Sequence, residues 1–170
     1  GEGLFIRDFV GGVYRLNYAT TKTVLYSGVS DYEQLDTTAP TSEELQIPVL
    51  SEKVEKWVAG LKSSGKNDPE KLLKTLRDYY TNSKFTYTIS PEVYGSNDLE
   101  EFLFDRKSGF CEHFAGSYAT IARALGVPAR VVIGFHGGEF NAFGDFWRVS
   151  TKDAHAWVEV FVGGSWKRVD

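Results

Sequence analysis

Residues 51–80 carry the apolar spacing of a pair of amphipathic helices. One is predicted to begin at Ser51, a residue type favoured at the N-cap, and to end before Gly65. The next is predicted to begin at Asp68 and Pro69, because proline is favoured in the first helical turn. The apolar positions at helical spacing are Val54, Trp57, Val58 and Leu61, followed by Leu72, Leu73, Leu76, Tyr79 and Tyr80. Both helices therefore present one apolar face to a core, and we interpret them as scaffold.

The N-terminal part of the chain alternates apolar and polar residues with the period of strands. Val13–Tyr18 carries this alternation, and Thr23–Tyr26 is a second candidate strand. We therefore predict a single domain in which residues 1–46 form a strand-rich arm and residues 47–170 form the core.

Later segments predict further short elements. Phe85–Ile89 alternates as a strand, and Asn97–Glu100 has the capping-box pattern of a helix that runs to Phe104. Residues 129–135 are almost continuously apolar, and a glycine-rich hairpin over residues 136–149 follows them. Helices followed by an antiparallel sheet predict an α+β fold.

The only cysteine of the chain lies at the start of the clearest helical pattern. From Cys111, apolar residues recur at helical spacing at Phe114, Ala115, Tyr118, Ala119, Ala122 and Leu125. Gly126 and Pro128 are typical stop signals, so we predict a helix over residues 110–125. The thiol is then expected to point the same way as the buried face.

A cysteine at this position suits nucleophilic chemistry. The backbone N–H groups and the dipole of a helix N-terminus favour negative charge, so they favour the thiolate and can also receive a developing oxyanion. The alternative is an inert, buried thiol that behaves as a small apolar residue. The helix position alone leaves both interpretations open.

The C-terminal hairpin decides between them. Residues 151–162 alternate as a strand, Gly163-Gly164 signals a two-residue turn, and residues 165–170 alternate again. Pairing Val162 with Ser165 puts Asp170 opposite Trp157 and on the same face as His155. Cysteine, histidine and aspartate are the nucleophile, base and orienting group of a thiol acyl-transfer site. Glu159 shares the face of His155 and is the alternative orienting group.

Composition limits the remaining possibilities. A chain of 170 residues that is 42% hydrophobic can bury a core, and its length favours one domain. The net charge of −4, without a basic block, argues against nucleic acid as a partner. No apolar run is long enough to cross a bilayer, which favours a soluble chain.

Four stretches of the sequence resemble the three motifs of the bacterial transglutaminase-like family. They are Gly-Phe-Cys-Glu-His-Phe-Ala at residues 109–115, Arg-Ala-Leu-Gly-Val-Pro-Ala-Arg-Val-Val at 123–132, Asp-Ala-His-Ala-Trp-Val-Glu-Val at 153–160 and Trp-Lys-Arg-Val-Asp at 166–170. Within the family, the chain is most similar to the extracytoplasmic domain of membrane-anchored, TgpA-like proteins. The resemblance implies a papain-like cysteine-peptidase fold, a longer membrane-anchored protein and an extracytoplasmic or periplasmic location.

The resemblance also implies a mechanism. Cys111 attacks a glutamine carboxamide or a peptide amide, His155 moves the proton, Asp170 orients His155, and a thioester forms. An amine, such as that of lysine, then gives a cross-link, whereas water gives deamidation or proteolysis. The backbone N–H of Cys111 is one expected oxyanion donor. Tyr87 is the candidate for the second donor, because related enzymes use an aromatic side chain from that region.

Other residues have weaker claims. Trp147 and Trp157 are expected to wall the cleft, although both could simply be core residues. His113 lies about 200° around the helix from Cys111, so we expect it to be structural. His136 lies in the glycine-rich loop as a rim residue. Cys111 with His113 lacks the further ligands that zinc requires, so we predict no metal and no cofactor. A non-catalytic scaffold of the same fold is the alternative from another class of function.

Overall fold

The computed structural model describes residues 6–9, 13–16, 35–65 and 68–170. Within these ranges the helices are α1 (Glu52–Gly65), α2 (Pro69–Asn82), α3 (Asp98–Glu100) and α4 (Cys111–Ala124), with a π-helical segment at Glu101–Arg106 and 3-10 turns at Glu43–Leu45 and Thr151–Asp153. The strands are β1 (Ile6–Phe9), β2 (Val13–Leu16), β3 (Thr86–Tyr87), β4 (Ser108–Gly109), β5 (Ala129–Phe135), β6 (Glu139–Asn141), β7 (Phe146–Arg148), β8 (Ala154–Val162) and β9 (Ser165–Val169).

Strands β5, β8 and β9 form an antiparallel sheet in the order β5-β8-β9. Val162 pairs with Ser165, as the glycine pair predicted. Gly163 and Gly164 have φ angles of +65° and +84°, and positive φ at both central residues is typical of the type I′ turn, whose twist matches that of a two-residue hairpin. The register of β8 and β9 therefore follows from the turn itself.

Helix α4 packs across this sheet and supplies the centre of the core. It ends at Ala124, and Gly126 follows with a φ of +89°. Helices α1 and α2 pack on the same core with the apolar faces predicted from their spacing. Fully buried members are Val54, Leu76, Leu103, Ile121, Ala122, Ala129, Val158 and Val160. Helices packed against an antiparallel sheet confirm the predicted α+β fold.

Three predictions of local structure need correction. Asn97 makes no side-chain cap, and the carboxylate of Glu100 accepts a hydrogen bond from Ser51 at the start of α1. The strand predicted at Phe85–Ile89 is limited to Thr86–Tyr87. The helix predicted to end at Phe104 continues to Arg106 in π-helical form.

The short strand β3 pairs in parallel with β4, which places Tyr87 beside Gly109. The N–H of Thr86 donates to the carbonyl of Lys107, and the N–H of Thr88 donates to that of Gly109, both at 2.8 Å. This pairing brings Tyr87 close in space to the start of α4.

The N-terminal strand predicted at Val13–Tyr18 is present as β2, and it pairs with β1. The second strand predicted at Thr23–Tyr26 lies outside the described residues.

Candidate active site

Cys111 is the first residue of α4, and its side chain is partly buried against the core. Phe110 precedes it in an extended conformation, with φ of −113° and ψ of −176°. The thiol therefore lies at the helix N-terminus, where first-turn N–H groups lack intrahelical partners and favour negative charge.

His113 secures this helix start from the side away from the thiol. Its Nδ1 accepts a hydrogen bond from the backbone N–H of Phe110 at 3.4 Å, and its ring packs on the Phe110 ring with centroids 4.5 Å apart. A Cβ at Gly109 would lie 2.8 Å from two His113 atoms, so only glycine fits there. His113 is structural, as its position on the helix predicted.

His155 and Asp170 form the pair that the register predicted. Nε2 of His155 lies 2.7 Å from Oδ1 of Asp170, across the β8-β9 hairpin. An imidazole has two nitrogens, and Asp170 engages only Nε2, which leaves Nδ1 available to a further partner. This is the arrangement of a base held by an orienting carboxylate.

The second oxygen of Asp170 has two further neighbours. The guanidinium of Arg168 donates a hydrogen bond to Oδ2, and Nδ1 of His136 lies 3.9 Å from that oxygen. Partial burial raises the pKa of Asp170, but the hydrogen bonds from Arg168 and His155 outweigh burial and hold this pKa below its ordinary value. Asp170 is therefore a carboxylate at neutral pH.

The indole ring of Trp157 lies nearly parallel to the imidazole of His155. Its ring is stacked near that of His155, with centroids 6.3 Å apart and planes at 25°, and the guanidinium of Arg168 lies 4.3 Å from the indole ring centroid. On β5, a Cβ at Gly134 would lie 2.7 Å from the indole, so glycine makes room for the ring. The indole Nε1 is buried, and it has no hydrogen-bond partner in the part of the chain that the structure describes.

A cavity of about 440 Å³ brings Cys111, His155 and Asp170 together. Its apolar lining comes from Phe85, Phe114, Ala115, Ala156, Val158 and Val169. The Cys111 thiol is thus partly shielded from water, which strengthens electrostatic interactions at the site.

Two tyrosines line the same cavity as neutral groups. The hydroxyl of Tyr80 donates to Ser117 Oγ at 2.8 Å, and that of Tyr118 donates to the carbonyl of Leu73 at 3.3 Å. Burial raises the pKa of Tyr118 to about 12 and raises that of Tyr80 as well. Neither hydroxyl competes with His155 as a base at neutral pH.

The remaining candidates fall in different places. Tyr87 and Trp157 line the cavity, and the Tyr87 ring stacks on Phe114. Trp147 does not line the cavity. It lies on β7, is 66% exposed and packs on Phe140. The expectation that Trp147 walls the cleft is therefore wrong, because the β6-β7 hairpin forms a separate two-stranded ribbon.

Glu159 is engaged away from the site. Its carboxylate accepts a hydrogen bond from Arg130 at 2.8 Å, and Arg130 also binds Asp36 at 2.7 Å. Of the two carboxylates on this face, only that of Asp170 forms a hydrogen bond with His155.

The sequence reasoning did not include Arg168 or Arg77 in the site, and it placed His136 only at the rim. Arg168 could have been found, since it precedes Asp170 on a strand whose register was known. Arg77 of α2 lines the cavity, and His136 approaches Asp170. Both depend on how distant segments pack, which no local pattern encodes.

Residues 56–170 match the Transglutaminase-like superfamily. The chain belongs to this superfamily. That match confirms the resemblance seen in the motifs, and it includes Cys111, His155 and Asp170.

Two relatives support the assignment of this chain to the transglutaminase-like superfamily. A Pseudomonas aeruginosa protein named protein-glutamine gamma-glutamyltransferase is 40% identical over 115 residues, which are 68% of this chain and 17% of that protein. The chain thus spans less than a fifth of this relative. The crystal structure of the periplasmic domain of TgpA from Pseudomonas aeruginosa matches with a TM-score of 0.70 and 38% identity, covering 75% of this chain and 44% of that one.

A more distant solved structure supports the papain-like fold. It is a candidate cysteine protease from Cytophaga hutchinsonii, with a TM-score of 0.52 and 25% identity, covering 75% of this chain and 40% of that one.

None of the helices in the described ranges combines the length and the apolar character that a bilayer crossing requires.

Proposed function

We propose that the protein is a thiol acyl transferase of the transglutaminase type. Its substrate is a glutamine carboxamide on a protein or peptide, and Cys111, His155 and Asp170 perform the reaction. The observation that carries this proposal is the bonded His155–Asp170 pair at the cavity that also holds the only cysteine. The name of the Pseudomonas aeruginosa relative supports the same reaction class.

The reaction begins with the thiolate of Cys111. Sulfur bonds to the carboxamide carbon, and the oxygen takes up negative charge. Protonated His155 gives its proton to the leaving nitrogen, ammonia departs, and a thioester remains on Cys111. Asp170 holds the imidazole in one orientation and stabilises its charged form.

The thioester is then resolved by an incoming nucleophile. A primary amine gives up a proton to His155 and bonds to the acyl carbon, and the Cys111–carbon bond breaks to leave an isopeptide. Water in place of the amine gives deamidation, or proteolysis when a peptide bond was attacked. The apolar cavity lining favours the amine, because it limits the access of water.

Two donors are proposed for the oxyanion. The backbone N–H of Cys111 is one, from its place at the helix start. The hydroxyl of Tyr87 is the other, supported by its position on the cavity lining next to Phe114.

The wider context is proposed from the relatives. We assign the catalytic core to residues 47–170 and place it outside the cytoplasm, as part of a longer, membrane-anchored protein. Residues 1–46 are assigned to an N-terminal arm, of which Asp36 and Thr38 bond to Arg130 and Trp166 of the sheet. Protein substrates are its partners, and we propose no role in binding nucleic acid.

A labelled-amine assay tests the proposal. The protein is incubated with a biotinylated alkylamine and a glutamine-containing acceptor peptide, and mass spectrometry separates the amine adduct from the deamidated product. We expect the amine adduct in the wild type and neither product with Cys111→Ala.

The outcomes separate the alternatives. Deamidated or cleaved peptide without amine adduct would make the protein a hydrolase of the same mechanism. A product that persists in Cys111→Ala would show that Cys111 is not the nucleophile. No product from any amide substrate would favour the non-catalytic scaffold. Cys111→Ala removes little volume, so its stability should change by no more than about 1 to 2 kcal/mol, which keeps the comparison valid.

A further inference from the structure

His136 stands beside the His155–Asp170 pair without a part in the proposed reaction. Its Nδ1 lies 3.9 Å from Oδ2 of Asp170, and its ring meets that of His155 edge-on with centroids 5.3 Å apart. One ligand atom from each of the three side chains lies within 4.8 Å of the other two. Two imidazoles and a carboxylate thus converge on one point at the surface of the site.

The chain holds His136 there by its backbone. The N–H of His136 donates to the carbonyl of Asp153 at 2.8 Å, which ties the end of β5 to the turn before β8. Gly137 follows with a φ of +86°, a value that glycine adopts readily, and the chain changes direction directly after His136. The side chain is 65% exposed, which leaves it open to a solvent-borne ion.

We propose that His136, His155 and Asp170 form a site for Zn²⁺ or a similar transition-metal ion, and that an ion bound there inhibits the enzyme. Imidazole nitrogen and carboxylate oxygen are preferred zinc ligands, and three protein ligands with a water in the fourth position are a common zinc arrangement. The sequence predicted no metal site, because it offered only Cys111 and His113. The fold supplies a different set from two separate segments.

The geometry needs only small side-chain rotations. Ligand atoms at roughly 2.0 to 2.1 Å from a tetrahedral zinc lie roughly 3.4 Å apart. Nε2 of His155 lies 2.7 Å from Oδ1 of Asp170, and Nδ1 of His136 lies 3.9 Å from Oδ2, so the carboxylate must rotate to present one oxygen to an ion held by both imidazoles. The guanidinium of Arg168 also binds Asp170 and repels a cation, so we expect the ion to bind more weakly than in dedicated zinc proteins.

Inhibition follows from the atoms involved. The ion bonds to Nε2 of His155 and to Asp170, the Nε2 proton passes to solvent, and the hydrogen bond between the two side chains is lost. His155 then cannot carry a proton to the leaving group. The inhibition rests on the proposed function, but the binding site does not, so the two can be tested apart.

Binding is measured first, in the Cys111→Ala protein, because a thiolate and an imidazole can hold zinc by themselves. Zinc titration by calorimetry and the visible absorption of bound Co²⁺ report affinity and ligand geometry. We expect one ion per chain in Cys111→Ala, and at least about tenfold weaker binding when His136→Asn is added. Glu139→Gln is the matched control, since it removes a carboxylate from the same hairpin but not from the ligand set, and it should bind as Cys111→Ala does.

Two results would overturn the proposal. One is loss of the ion in Cys111→Ala, which would place the metal on the thiol. The other is equal affinity with and without His136. In the wild-type background, the rate of His136→Asn with zinc should equal its own rate without zinc, whereas zinc should slow the wild type. Binding through His136 in a protein with no Cys111-dependent activity would leave the site standing and reject the enzyme.

Discussion

The two faces of β8 carry different parts of the molecule. Ala156, Val158 and Val160 alternate on one face, are buried and pack against α4. His155, Trp157 and Glu159 alternate on the other, are partly exposed and contact Asp170, Arg168 and Arg130 respectively. One face belongs to the core, although its Ala156 and Val158 also line the cavity. The other face places His155 and Trp157 at the cavity and Glu159 on Arg130.

This comparison shows how a strand can separate stability from chemistry. Because side chains alternate, a shift of one residue in register would exchange the two sets and destroy both. The Gly163-Gly164 turn fixes the register, so it serves the core and the site together. Changes on one face should therefore affect rate, and changes on the other should affect stability.

The largest effect is expected from His155→Ala. Loss of the proton carrier should lower kcat/KM by about 10⁴ to 10⁶, in line with removal of a triad base in other enzymes. Stability should change by less than about 1 kcal/mol, because the bond to Asp170 is partly exposed. The amine-transfer assay and chemical denaturation give the two values.

Glu159→Gln is the control on the same face of β8. It should keep the rate, since Glu159 is bonded to Arg130 rather than to His155. A comparable loss of rate in Glu159→Gln would mean that the orienting carboxylate has been assigned wrongly.

Asp170→Asn should have the next largest effect. The amide would leave the imidazole free to adopt the wrong tautomer, and the equivalent change in a serine protease triad costs about 10⁴ in turnover. We expect a loss of about 10² to 10⁴ in kcat with little change in KM, measured by steady-state kinetics. A change confined to KM would assign Asp170 to substrate binding instead.

On the core face, Val160→Ala should act on stability alone. Val160 is 1% exposed, and removing two methyl groups from a packed core should cost about 2 kcal/mol. Urea denaturation measures this loss, while kcat at a temperature well below melting should stay within about twofold of the wild type. A fall in kcat as large as that of Asp170→Asn would break the separation of the two faces.

The smallest effect concerns pH. The pKa of Asp170 is held below its ordinary value, so the stabilisation from its charge is present above the unfolded-state pKa of about 3.9 and is lost as pH falls through the folded-state pKa. The difference in free energy of unfolding between the wild type and Asp170→Asn should therefore shrink between pH 6 and pH 3. Arg168→Gln should reduce this pH dependence, because it removes one of the stabilising donors. A difference that is equal at both pH values would show that Asp170 gains nothing from its partners.

The sequence predicted those features that local rules determine. Helical spacing with Gly126 and Pro128 located α4 to within a residue at either end. The glycine pair set the β8-β9 register, and from it followed the contact of His155 with Asp170. Both cases depend on residues close together in the chain, where backbone geometry limits the outcome.

Features that depend on distant packing were missed or misjudged. The parallel pairing of β3 with β4 joins two strands of two residues each, too short to show a pattern. Trp147 has the alternation of a buried strand, yet its hairpin lies apart from the main sheet. His136 approaches Asp170 through a backbone bond to Asp153 that the loop sequence does not reveal.

The central claim is that Cys111 is the nucleophile and that His155 is the base that activates it. Its most direct test is the rate at which iodoacetamide alkylates Cys111 in the native protein at pH 7, followed by intact-protein mass spectrometry. We predict faster alkylation than that of glutathione, and a decrease of at least about tenfold in His155→Ala. Alkylation of Cys111 only after unfolding, or at the same rate with and without His155, would contradict the claim.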